Sequence, residues 1–323
     1  MTNRQTVLEN EHFRLERLTD GVFAAINTLR GGAMSNAGIV DLGEETLVFD
    51  AFLTRAAAIE LRRAAEKLTG RPPRYLINSH AHGDHVLGNH VFLPEATVIA
   101  SRGTHAALSA DDSTDVDPEE MKAFLGQLET AVAEARDEST RRNAEGNLYP
   151  RKWLLEELPI LPVVPTIVVR GEIEFHGSTR TVRLIPVDRA HTDGDLVLVC
   201  PDDRVVFLGD LGFFQDSPPF IAPEGSAVGW SEKLRELEAL DLAMYVPGHG
   251  DIGTKVDMAA QRSFLDAVIH AVRPIATAGG TVDEAVARVR ETEYARWESA
   301  MLYRTSIESA LTQLASDGEE ACP

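Results

Sequence analysis

The order of the elements predicts a mixed α/β fold in which two β-sheets pack together with helices outside. Two observations carry that reading. Short β-prone runs fill residues 13–49 and return over 167–208, and each set gives way to helical patterns. A sheet must bury its apolar face, so two such halves stack sheet on sheet and helices cover the outer faces. The chain also contains neither an internal repeat motif nor a low-complexity segment, which removes solenoid and linker-like architectures.

The elements follow in order. Residues 13–17, 22–26, 37–42 and 45–49 read as strands, separated by turn signals such as Thr19-Asp20-Gly21 and Gly43-Glu44. The alanine-rich stretch 53–68 is helical, and Gly70, Pro72 and Pro73 stop it. Residues 74–78 form a strand that runs straight into a cluster of histidines, and 96–100 form another. Residues 109–161 differ in character and read as a helical insertion. Asp117-Pro118-Glu119-Glu120 is a strong helix start, with an acidic cap and proline in the first turn. From Met121 to about Arg142 the pattern is amphipathic, with Phe124, Leu125, Leu128 and Val132 on one side. This excursion either packs on the surface or serves as a lid or substrate wall.

Strands resume at 167–170, 173–175, 181–186, 195–199 and 205–208. A helix over 230–240, a strand over 244–246 and further helices over 255–316 complete the chain, one of them begun by the capping box Thr281-x-x-Glu284. The 323 residues are read as one domain carrying these additions.

Composition bounds the function. The chain is 44% hydrophobic and 25% charged, with a mean hydropathy of −0.13, which is ordinary for a globular protein. Against 51 acidic residues stand 31 basic ones, a formal net charge of −20. Such a field repels nucleic acid, whose phosphates need a basic face. It also slows highly anionic substrates unless a local cationic pocket overrides it. Cys200 and Cys322 make neither a disulfide framework nor a thiolate metal spacing. The first residues hold no signal-peptide pattern, and no apolar stretch approaches the roughly 20 residues of a membrane span. The sequence therefore reads as a cytoplasmic protein acting on a small molecule, without membrane or nucleic-acid partners. Its oligomeric state is left open, a homodimer included.

Chemistry concentrates in Ile77-Asn78-Ser79-His80-Ala81-His82-Gly83-Asp84-His85. Residues two apart on an extended chain point the same way, so His80 and His82 can grip one metal ion. Asp84 and His85 fall where the chain turns into a helix and can face a second, with Gly83 allowing the backbone to bend between the pairs. Imidazoles with carboxylates suit zinc first, with iron or manganese as alternatives. Three further candidates each follow an apolar run: His191 in Asp188-Arg189-Ala190-His191, Asp210 in Phe207-Leu208-Gly209-Asp210, and His249 in Pro247-Gly248-His249-Gly250.

These motifs, in this order, resemble the metallo-β-lactamase superfamily, and most of all its glyoxalase II-type hydrolases. The resemblance runs from about Gly21 to Gly253 and takes in Asp50, the His80-x-His82-x-Asp84-His85 block, His191, Asp210 and His249. It implies an αββα four-layer sandwich of two mixed sheets, with two divalent metal ions held by loops at one edge. It also implies a division of ligands: His80, His82 and His191 on the first ion, Asp84, His85 and His249 on the second, and Asp210 between them. Asp50 then orients the histidine loop without touching metal. Ala190 stands where the family usually has glycine, and no cysteine replaces Asp210 as it does in one β-lactamase subclass.

The function so implied is a dinuclear-metal hydrolase whose metal-bound hydroxide cleaves an ester, thioester, lactone or amide bond, with Asp84 orienting the nucleophile and taking its proton. Three other readings compete. They are a mononuclear-iron oxygenase of the persulfide dioxygenase type, a phosphodiesterase on the same metal core, and a non-catalytic metal-binding protein. His12, His90, His105, His176 and His270 are expected to be structural or solvated. Asp193 and Asp195 are expected to shape the turn after His191. Phe213, Phe214, Pro218, Pro219 and Phe220 either wall an apolar pocket or pack in the core.

Overall fold

Alternation of side chains along the strands builds the layers. In the computed structural model, which describes residues 4–110, 116–160, 163–215, 217–292, 294–295 and 302–320, thirteen strands form two sheets. The first sheet runs in chain order: β1 (Gln5–Glu9), β2 (Phe13–Thr19), β3 (Val22–Asn27), β4 (Ala37–Asp41), β5 (Thr46–Phe49), β6 (Tyr75–Ile77), β7 (Thr97–Ser101) and β8 (Ile167–Val169). Its first five strands are an antiparallel meander, and β5 to β8 are parallel. The second sheet holds β9 (Ile173–His176), β10 (Thr181–Val187), β11 (Asp195–Cys200), β12 (Val205–Phe207) and β13 (Met244–Val246). Only its β12–β13 pair is parallel.

Strand β11 shows how the period of two divides the core. Leu196, Leu198 and Cys200 point into the layer between the sheets, against Val22, Ile26, Val40, Phe49 and Ile77 of the first sheet. Val197 and Val199 point the other way, into a helix-covered layer with Trp230, Leu234, Leu265 and Val268. On the far face of the first sheet, Phe13, Leu15, Ile39 and Val48 meet Ala57, Ala58, Leu61 and Ala65 of α1 (Arg55–Thr69). The result is the expected αββα sandwich. Helix α1 is capped by Thr54, whose hydroxyl accepts from Ala57 N, and ends at Gly70 in the left-handed region at φ 73°.

Helices α2 (Gly83–Val86) and α3 (Arg102–Leu108) are short turns after β6 and β7. The insertion departs from the single amphipathic helix that its apolar spacing predicts. It is a hairpin of α4 (Pro118–Glu134) and α5 (Glu138–Glu157), broken at Ala135, with Asp137 accepting from Thr140 N at 2.7 Å to restart the helix. Leu125, Leu128 and Leu148 form the seam between the two. The outer layer on the second sheet comprises α6 (Ala227–Glu238), α7 (Lys255–Thr277), α8 (Val282–Val289) and α9 (Tyr303–Glu320). The expected capping box of Thr281 and Glu284 is present in α8, and a second one, Thr254 with Asp257, opens α7. The N-terminal strand β1 carries no signal strong enough to read from sequence. Among the described residues no helix is long and apolar enough to cross a membrane, and Cys322 lies outside them.

Candidate metal centre

Strand ends deliver the site. Asp50 follows β5, His80 follows β6, Asp210 follows β12 and His249 follows β13, so the carboxyl ends of parallel strands from both sheets open on one edge. Crevices outside such strand ends are the usual binding places of α/β sheets. Gly248 permits the closest approach there, because a Cβ at that position would collide with Asp210 Oδ1. Gly83 does not supply the glycine-only bend that its sequence suggests. Its backbone is the first turn of α2 and is not in a glycine-only conformation.

The seven candidate residues converge as two groups. His80, His82, His191 and Asp210 offer donor atoms all within 4.8 Å of one another, and so do Asp84, His85 and His249. Asp210 lies between the groups: its Oδ2 is 3.7 Å from His80 Nε2, 3.4 Å from His191 Nε2 and 3.4 Å from His249 Nε2, while its Oδ1 is 3.0 Å from His85 Nε2. Asp84 Oδ2 is 3.2 Å from His249 Nε2 and 3.6 Å from His85 Nε2. None of the other five histidines joins either group. His90, for example, uses its Nδ1 on the Leu87 carbonyl at 3.0 Å.

Surrounding partners choose which ring nitrogen of each histidine is free. His85 Nδ1 donates to Asp50 Oδ2 at 2.8 Å, and Asp50 Oδ1 accepts from Ser79 N at 2.7 Å. His191 Nδ1 donates to the Phe220 carbonyl at 3.0 Å, and His80 Nδ1 pairs with Ser79 Oγ at 2.9 Å. His82 is reversed: its Nε2 donates to Glu224 Oε1 at 2.9 Å, leaving Nδ1 to face His191 Nε2 at 3.0 Å. Two imidazole lone pairs at that distance require a cation between them, a proton or a metal ion. His80 Nε2 is buried with no hydrogen-bond partner among the described residues, and His85 Nε2 and Asp210 Oδ1, buried 3.0 Å apart, are not aligned for a hydrogen bond. Such orphaned atoms are costly unless something else satisfies them. Imidazoles and carboxylates with their outer nitrogens tied to polar partners are a donor set that suits divalent metal ions. The residues fit the group.

Electrostatics agree. Burial drives His191 down to about 3 and holds His80 well below its ordinary value, so both rings stay neutral as ligands must be. Burial opposes protonation of His249 and His85 too, but the Asp210 and Asp84 carboxylates outweigh it, and Asp50 adds to the effect on His85. His249 is pushed up to about 9 and His85 well above the usual range. Protons on these two rings thus balance the carboxylates where cations would compete for the same atoms.

Aromatic rings and a cavity complete the surroundings. Phe213 stacks on His249 with centroids 5.0 Å apart and planes at 19°, and the fully buried Trp230 meets His191 edge-on at 5.4 Å. A cavity of about 620 Å³ opens over the cluster, reached by His82, Asp84, Asp210 and His249. Phe213, Pro218, Pro219 and Phe220 form an apolar wall, and Arg142, Asn143, Asn147 and Arg151 of α5 form a polar one. Helix α5 is therefore a wall of the cavity. Asp195 accepts from Thr192 N at 2.9 Å and Thr192 Oγ1 at 2.8 Å, shaping the turn after His191 as expected.

A model of the metallo-beta-lactamase superfamily matches residues 30–249, more than half of the chain. The chain belongs to the metallo-β-lactamase superfamily. Its similarity to individual proteins is at low identity. It is 24% identical over 294 residues to the 2,4-dinitroanisole O-demethylase subunit alpha of Nocardioides sp. (strain JS1661), covering 90% of this chain and 72% of that one. The stereoselective inverting sec-alkylsulfatase Pisa1 from Pseudomonas sp. superposes with a TM-score of 0.67 at 14% identity, over 94% of this chain. This metallo-β-lactamase-superfamily chain spans only 50% of the length of that sulfatase. A metallo-β-lactamase from Erythrobacter litoralis superposes with a TM-score of 0.56 at 14% identity, over 81% of this chain and 99% of its own.

Several site residues escape a reading of the sequence. Glu224 is 142 positions from the histidine it holds, and no spacing rule links them. Asn36 donates to the Pro247 and Gly250 carbonyls, both at 2.9 Å, and so pins the His249 loop to the first sheet. Arg151 sits in the insertion, where the amphipathic pattern draws attention only to the apolar side.

Proposed function

We propose that this chain is a dinuclear metal-dependent hydrolase that cleaves an ester-type bond in a small organic molecule. The observation that carries the reading is the convergence of His80, His82, His191 and Asp210 beside Asp84, His85 and His249 at the floor of one cavity. His80, His82 and His191 would hold one ion, Asp84, His85 and His249 the other, and Asp210 would contact both, with zinc the favoured metal. Divalent ions in such a site bring the pKa of water down to roughly 7 and polarise a carbonyl oxygen.

The chain's own groups supply the remaining steps. Asp84 lines the cavity, so its carboxylate can orient a water molecule and accept the proton it loses on attack. The same proton can then pass to the leaving oxygen, which departs as an alcohol. Glu224 keeps His82 in the tautomer that offers Nδ1, and Asp50 does the corresponding task for His85. The Phe213, Pro218 and Phe220 wall excludes water from one side and favours an apolar substrate body.

The O-demethylase relative supports a second reading in which the bond cleaved is an aryl ether. One experiment separates these. Metal content is measured on purified protein, and activity is screened on nitrophenyl esters, a thioester, a lactone, a β-lactam and a nitroanisole. About two metal ions per chain are expected, with turnover of one bond class that is abolished in His82→Ala and Asp84→Asn. Full turnover by His82→Ala would overturn the mechanism, and one iron per chain with oxygen uptake would replace it by an oxygenase.

A further inference from the structure

The chain carries a net charge of −20, yet the cavity over the metal cluster is lined by three arginines: Arg14, Arg142 and Arg151. Their states differ. Arg14 is committed, pairing with Glu16 at 2.9 Å and with Asp251. Arg142 is exposed, towards the start of α5. Arg151 is partly buried and has no carboxylate within ion-pair distance among the described residues. Elsewhere in the fold, comparably buried arginines have such partners: Arg180 with Asp203 at 2.5 Å, Arg62 with Glu66 at 2.9 Å, Arg262 with Glu238 at 2.8 Å.

What holds Arg151 is neutral. Its Nη1 donates to the Asn147 carbonyl at 3.0 Å and to Asn147 Oδ1 at 2.9 Å, and its guanidinium lies 5.4 Å from the centre of the Phe124 ring. These contacts fix the plane of the group without neutralising it. Nε and Nη2, the edge that makes paired bonds to an oxyanion, have no hydrogen-bond partner among the described residues. Of the acidic side chains lining the cavity, Asp84 and Asp210 belong to the metal cluster and Asp251 to Arg14. A partly buried, pre-oriented cation thus faces a cavity with no anion assigned to it.

We propose that Arg151 is the anion-recognising residue of this cavity. The substrate is then a small amphiphilic organic anion whose carboxylate or sulfonate docks on α5 while its apolar body lies against Phe213, Pro218, Pro219 and Phe220. The scissile bond falls between the two, over Asp84 and His249. This proposal rests on the hydrolase reading for the reaction but not for the binding. Burial lowers the guanidinium's pKa and Asp84 counters it; an arginine remains charged at any physiological pH. The local cation also answers the global field, since a substrate anion repelled by the surface gains a compensating charge at the site.

The test measures binding first. Calorimetry compares phenylbutanesulfonate, a poor metal ligand, with phenylbutanol on the metal-loaded and metal-stripped protein, for the wild type, Arg151→Gln and Arg151→Lys. Melting curves check that each variant folds. The sulfonate is expected to bind the wild type about 10- to 100-fold more tightly than the alcohol. Arg151→Gln should erase that preference, and Arg151→Lys, which keeps the charge but loses the fork, should keep part of it. Equal sulfonate affinity in the wild type and Arg151→Gln would overturn the proposal, as would a wild type that prefers the alcohol. If Arg151→Gln does not fold, full sulfonate preference in Arg151→Ala or an unaltered ratio in Arg151→Lys overturns it equally.

A second arm compares nitrophenyl esters ending in a carboxylate or in a methyl group. The ratio of their kcat/KM values should fall in Arg151→Gln by the same factor as the binding preference. Preference for the sulfonate without turnover of any bond class in the screen would sink the hydrolase reading and leave the Arg151 assignment standing.

Discussion

Asp50 occupies the left-handed region at φ 66°, a conformation that is uncommon outside glycine and asparagine-like residues. Its neighbours account for the strain. Asp50 N donates to the Ile77 carbonyl at 2.8 Å, which aims the fully buried carboxylate at Ser79 N and His85 Nδ1. Burial raises the Asp50 pKa while the His85 charge opposes it. Asparagine in its place would still accept from Ser79 N but would present an amide N–H to His85. The ring must then accept on Nδ1 and carry its proton on Nε2, the atom that faces Asp84 and Asp210. We expect Asp50→Asn to weaken binding of one of two metal ions by about 10- to 100-fold, with circular dichroism unchanged. Competition with a chromophoric chelator measures this, and undiminished affinity for both ions would contradict the tautomer argument.

At the scale of elements, the helical hairpin α4–α5 has a hydrophobic seam of its own, distinct from the sandwich core. Its seam is small, and Leu128 is its one fully buried side chain. Replacing a buried leucine by alanine costs about 2–5 kcal/mol, and here the cost falls on the hairpin. Leu128→Ala should speed amide hydrogen exchange over residues 118–157 and leave β3, β5 and β11 protected. Equal acceleration in the strands would show that hairpin and sandwich unfold as one. The elements also show what the sequence makes legible. Strands that are unbroken apolar runs, such as β11, and helices with caps, such as α1 and α8, can be read to within a few residues. The break inside the insertion is hidden because Phe124, Leu125, Leu128 and Val132 keep a helical spacing up to it. Its signal is Asp137 three residues before Thr140, a cap that the apolar pattern overrides. Strand β1 is half-exposed at a sheet edge, so no alternation betrays it.

Across the whole molecule, the candidate metal-ligand set is legible because it is made of rare residue types at strand ends, and the residues that orient it are not. Asn36, Glu224 and Arg151 act across separations that only the packing of two sheets and the insertion creates. The same packing has a thermodynamic side. Four carboxylates or imidazoles from the first sheet's loops and three from the second meet at one edge, so bound ions would tie the halves together. A ligand held at 1,000 times its dissociation constant adds about 4 kcal/mol to stability. Removing metal with a chelator should therefore lower Tm by roughly 5–10 °C, and zinc should restore it. An identical Tm before and after stripping would argue that the cluster holds no metal.

Neither half of the sandwich can build either ion site alone. His80 and His82 lie on one side of the exposed turn at Gly171, and His191 on the other; Asp84 and His85 are likewise parted from His249. A chain severed at that turn would yield two fragments that each hold only part of either ligand set. If the centre holds metal as proposed, their reunion would show as a gain of tight metal binding, and the fold would then report its own fragment complementation.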